Sequence, residues 1–177
     1  ILTFLRLVLI PIFIVAFYLP FDWARWLTAA LFLFAAVTDW LDGYLARKMK
    51  QSSAFGAFLD PVADKLMVAA ALLLLVSQYP SPWMAIAGIV IVSREILISA
   101  LREWMAELGK RAAVKVSMVG KIKTTMQMIA LLILLSQSPG YSDIIVFGFI
   151  LIYVAVILTL WSMMLYLYAA WRVLWKA

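Results

Sequence analysis

Apolar residues along this chain fall into six long runs, at about 2–19, 24–47, 55–78, 83–104, 117–137 and 143–171, separated by short polar or proline-bearing gaps. Each run is close to the roughly 20 residues a helix needs to cross the hydrocarbon core of a bilayer. The pattern predicts six helices in one membrane domain, with little chain left for anything else. The gaps are of two kinds. Those after the first, third and fifth runs hold Pro20, Asp22, Trp23 and Trp26, then Tyr79, Pro80, Pro82 and Trp83, then Pro139, Gly140 and Tyr141. Proline stops helices and the aromatics suit the lipid interface. Those after the second and fourth runs carry Arg47, Lys48 and Lys50, then Lys110, Arg111 and Lys115, and Arg172 and Lys176 close the chain. By the positive-inside rule, the basic connections and both termini face the cytoplasm.

Composition sharpens the class. Of 177 residues, 67% are hydrophobic, and the mean hydropathy is +1.06. Soluble domains are slightly under half apolar. The expectation is an all-α integral membrane protein. The formal charge of +6 sits at helix ends and in short connections, where orientation and anionic lipid explain it and nucleic acid does not. There is no cysteine and no histidine. Disulfides, thiolate nucleophiles, zinc sites of the usual ligand type and a histidine base are therefore excluded. The numbering opens on Ile1 inside an apolar run, with no cleavable signal pattern, so a short preceding segment is expected.

Against this background the stretch TDWLDGYLARKMKQSSAFGAFLDPVADKLM, Thr38 to Met67, places four aspartates in two otherwise apolar runs. At roughly 100° per residue, Asp39, Asp42, Gly43 and Ala46 share about 100° of one helix face. Gly56, Asp60 and Asp64 step by four along the next. A hairpin of two helices can aim all four carboxylates into one cleft near the cytoplasmic surface. Ionised aspartates at membrane depth cost a few kcal/mol each and repel one another, so a cation is required there. Hard oxygen donors suit Mg²⁺, Mn²⁺ or Ca²⁺, and two such ions balance four acids. Gly43, Ala46 and Gly56 leave room for close approach of a ligand, and Arg47 and Lys48 supply cations for a phosphate.

Asp39, Asp42, Gly43, Ala46, Arg47, Gly56, Asp60 and Asp64, at fixed spacing over 26 residues, resemble without departure the motif of the CDP-alcohol phosphotransferases. LTFLR at Leu2 to Arg6, REILISALREWMAELGKR and GKIKTTMQM extend the resemblance over most of the chain. It implies a six-transmembrane-helix bundle in a bacterial cytoplasmic (inner) membrane, a homodimer in lipid, and Mg²⁺ or Mn²⁺ as cofactor. It also implies transfer of a phosphatidyl group from CDP-diacylglycerol to sn-glycerol 3-phosphate, with release of CMP. Asp39, Asp42 and Asp60 would be metal ligands; Asp64 would be the base for the acceptor hydroxyl and would also touch metal. Thr38, Asp39, Gly43, Ala46, Arg47 and Gly56 would contact the cytidine diphosphate. For the acceptor's phosphate we select Arg94, too deep in the fourth run for a casual surface charge, with Arg102 and Lys121. The competing account of Arg94 is an ion pair with Glu95. Within the family, serine, inositol phosphate or phosphatidylglycerol are alternative acceptors. A small cation transporter is the alternative from another class, disfavoured because the acids cluster at one membrane face without an internal repeat.

Overall fold

Backbone that enters hydrocarbon must satisfy its own hydrogen bonds, and a helix does so within one segment. The structure, a computed structural model, accordingly shows six α-helices and no strand among the described residues: α1 Leu2–Phe17, α2 Ala24–Met49, α3 Ala54–Gln78, α4 Pro82–Glu107, α5 Met118–Ser136 and α6 Asp143–Leu174. It describes the backbone of residues 2–49, 54–108 and 118–174, and the side chains of 4–39, 41, 59, 62–108, 120 and 122–171. Each helix covers one apolar run, with ends displaced by at most three residues. α4 and α6 are by length and composition able to cross a membrane. Leu73, Ile89, Ile157 and Trp161 lie largely exposed on the outside of the bundle, an apolar surface suited to lipid.

Helix ends follow local chemistry. Ser81 caps α4 by accepting a hydrogen bond from the Met84 N–H at 3.1 Å, with Pro82 at the first helical position, where its missing N–H costs nothing. Ser142 does the same for α6, accepting from the Ile145 N–H at 3.3 Å, and Asp143 adds a negative charge to the first turn. The last carbonyls of α5 are satisfied from the neighbouring helix end: Gln78 Nε2 donates to the Gln137 carbonyl at 2.7 Å and Tyr79 Oη to the Leu134 carbonyl at 3.2 Å. At the same rim Arg25, near the start of α2, donates to Ser138.

α1 packs on α2 and α3, α2 on α3 and α5, α3 on α4 and α5, and α6 on α4 and α5. The main core runs through Phe13, Phe32, Leu72, Leu75, Ile91, Leu131 and Ile152, all fully buried or nearly so. α6 approaches α5 closely because residue 148 is glycine. A Cβ built there would stand 2.9 Å from Leu134 Cδ2 and 3.1 Å from Ile133 Cγ2. Small residues permit such close backbone approach between membrane helices. Gly148→Val should therefore cost about 1–3 kcal/mol by overpacking. Thermal unfolding in detergent will show this as a lowered midpoint, and an unchanged midpoint would mean that α6 shifts freely.

Candidate active site

The acid stripe of α2 meets a cation from α1. Arg6 is the sole charged residue of that helix, and its side chain is only 1% exposed. Its Nη1 lies 2.9 Å from Asp39 Oδ1, while the Asp39 side chain stays 45% exposed. The contact is ionic, without the alignment of a good hydrogen bond: Nε, Nη1 and Nη2 all lack one among the described residues. Asp64, on the facing helix α3, is exposed, and the charges that act on it are those of Asp39, Arg6, Glu95 and Lys65. Four helices thus bring ionic groups together around Asp64. Lys65, its neighbour in sequence, is turned towards α4, donating from Nζ to Ser99 Oγ at 2.7 Å.

Thr38 is buried, and its hydroxyl is turned back into the helix, 2.9 Å from the carbonyls of both Phe34 and Ala35. Its one proton is therefore engaged within α2 and leaves only lone pairs for a nucleotide. Asp42, Gly43, Ala46 and Arg47 of α2 and Gly56 and Asp60 of α3 have helical backbone, but their side chains lie outside the described residues, as does that of Lys121 in α5.

A second ionic cluster sits between α4, α5 and α6. Arg94 is buried, with Nη1 2.9 Å from Glu95 Oε1, Nη2 donating to Ser162 Oγ at 2.9 Å, and its guanidinium carbon 5.8 Å from the centre of the Tyr166 ring. Lys123 Nζ donates to the same Glu95 oxygen at 2.5 Å and is 2% exposed. One carboxylate is shared by two buried cations. The Arg94–Glu95 pair weighed from sequence is thus present. Its function as a phosphate clamp is a separate matter, since Nε has no partner among the described residues and each Nη carries a second proton. Arg102 is not drawn into this cluster: it is exposed, about 12 Å further along α4, with no ion pair among the described residues.

The family model for CDP-alcohol phosphatidyltransferase matches residues 1–161. The chain belongs to the CDP-alcohol phosphatidyltransferase family. Relatives named CDP-diacylglycerol--glycerol-3-phosphate 3-phosphatidyltransferase include one from Yersinia enterocolitica, 55% identical over 171 residues that cover 97% of this chain and 93% of the relative. Those from Sodalis glossinidius and Pectobacterium atrosepticum, each with the same name, are 56% identical over 169 residues, 96% of this chain and 92% of the relative. The resemblance carried by the eight-residue motif is borne out, and the protein is a transferase.

For a phosphatidyltransferase of this family, two described features escaped the sequence reading. Arg6 lay within the LTFLR stretch but received no role, although a lone cation in an apolar helix is itself a signal. Lys123 received no role in the sequence analysis, and only the packing of α5 against its neighbours reveals that it is turned inward.

Proposed function

We propose that the protein transfers the phosphatidyl group of CDP-diacylglycerol to the primary hydroxyl of sn-glycerol 3-phosphate, giving phosphatidylglycerophosphate and CMP. The observation that carries this reading is identity of 55–56% over nearly the whole chain to relatives bearing the corresponding name. The electrostatic interaction of Asp39 with Asp64, on neighbouring helices, supports it.

In this reading all six helices span the inner membrane, the chain pairs as a homodimer, and the acid end faces the cytoplasm. Both soluble participants, CMP and glycerol 3-phosphate, are then within reach there. The donor set is carboxylate oxygen in a chain without histidine or cysteine, and Asp39 keeps part of its carboxylate open, which fits a hard divalent cation. Asp39, Asp42, Asp60 and Asp64 would hold Mg²⁺ or Mn²⁺. Bound there, two such ions would supply Lewis-acid polarisation of the phosphoryl group and offset charge on the attacking and leaving oxygens. Asp64, exposed and within electrostatic reach of Asp39, takes the proton of the acceptor hydroxyl. The acceptor oxygen bonds to the lipid-linked phosphorus, the bond from that phosphorus to the CMP oxygen breaks, and CMP leaves with the electron pair. Thr38, Gly43, Ala46, Arg47 and Gly56 line the nucleotide's path, and Arg94, Arg102 and Lys121 attract the acceptor's phosphate, with Lys123 added from the structure.

Purified protein in detergent, given CDP-diacylglycerol and Mn²⁺, should release CMP with glycerol 3-phosphate and show at most background release with serine, inositol phosphate or phosphatidylglycerol. Release with one of those three in place of glycerol 3-phosphate would refute the acceptor assignment. Absence of CMP with any alcohol would refute the transfer itself.

A further inference from the structure

Arg6 has no place in the reaction just described, yet its position is the costliest in α1. A guanidinium at membrane depth is tolerated when it is paired or used. Here it is 1% exposed, in a helix otherwise free of charge, and the pairing it has is one-sided. A structural ion pair is sealed on both partners so that each charge is compensated. This one buries the cation and leaves the acid 45% exposed. The contact reaches Oδ1 of Asp39, and the side chain keeps 45% of its surface open to another cation. The charge of Arg6 is felt at Asp64 as well as at Asp39.

We propose that Arg6 is a positioning residue for Asp39, fixing its carboxylate from the buried side so that the open side is presented to a divalent ion. The inference rests on the metal reading above and adds the residue that sets the ion's affinity. Partners that hold a ligating carboxylate in place are worth about 10–100-fold in metal affinity. A second effect has the opposite sign: a guanidinium near the site repels the ion. The two are separable because Arg6→Lys keeps the charge but replaces the broad planar guanidinium, seated in its buried site against Asp39, by a compact ammonium on a different stem.

The test is Mn²⁺ binding to the substrate-free protein in detergent, read as free Mn²⁺ by electron paramagnetic resonance, with circular dichroism and thermal unfolding establishing that each variant is folded. Arg6→Lys should bind Mn²⁺ about 10-fold or more weakly than the wild type. Arg6→Lys should add nothing in an Asp39→Asn background, because residues acting through one partner are not additive. Arg6→Lys with unchanged or tighter Mn²⁺ binding would overturn the inference, as would an equal loss on both backgrounds, which would place its action elsewhere. A wild-type protein that binds no Mn²⁺ would overturn the metal reading and this inference together. Normal wild-type binding with an indifferent Arg6→Lys would remove this inference alone.

Discussion

Asp39→Asn should reduce CMP release by about a thousand-fold or more, since several kcal/mol of transition-state stabilisation depend on a metal ligand and each 1.36 kcal/mol is a factor of ten. The variant also removes the counter-charge of buried Arg6; because Asp39 is 45% exposed, water recovers part of the about 3–5 kcal/mol that breaking a fully buried pair costs. Turnover must therefore be measured on folded protein, with unfolding midpoints alongside. Asp64 offers the contrast. It is exposed, with no ion pair among the described residues, so Asp64→Asn should leave the fold and the binding of CDP-diacylglycerol nearly intact. Its turnover should fall by about 10²–10⁴-fold, the scale of a lost general base. Near-normal turnover in Asp39→Asn would contradict the metal assignment. A selective loss of lipid binding in Asp64→Asn would contradict its assignment as base.

Glu95→Gln should be the most destabilising single change in the second cluster. Glu95 Oε1 is the shared acceptor of Arg94 and Lys123, both buried, and the amide leaves two cations facing each other without an anion. Removing one partner of a buried pair costs about 3–5 kcal/mol. Because the Glu95 side chain is 28% exposed, water recovers part of this and the lower end of that range applies. The measurement is unfolding in detergent for Glu95→Gln, Lys123→Met and the double variant. Replacing both partners by uncharged groups is far milder than stranding one. The double variant removes one of the two stranded cations but leaves Arg94 without its anion, so it should regain only part of the stability lost in Glu95→Gln. If the losses simply add, Glu95 and Lys123 are not coupled.

The helices were legible because in hydrocarbon an apolar run has one satisfactory backbone solution. Where the runs and helices differ, polar residues are the reason. α4 continues past 104 to Glu107, since Glu103 and Glu107 end the apolar pattern without ending the helix. The acids were legible for a similar reason: the spacing of Asp39 along α2 and of Asp64 along α3 is a property of the local helix. What crosses between helices was not. The contact of Arg6 with Asp39 depends on how α1 lies against α2. Arg94 with Ser162 and Tyr166 depends on how α4 lies against α6. The turn of Lys123 inward to Glu95 depends on how α5 packs against its neighbours. Single-helix periodicity carries none of that information.

The rim held by Gln78, Tyr79 and Arg25 lies at the opposite end of α3 from Asp64, about 21 Å along the helix. Separation of α3 from the end of α5 is therefore resisted at this rim, by bonds that take no part in the chemistry.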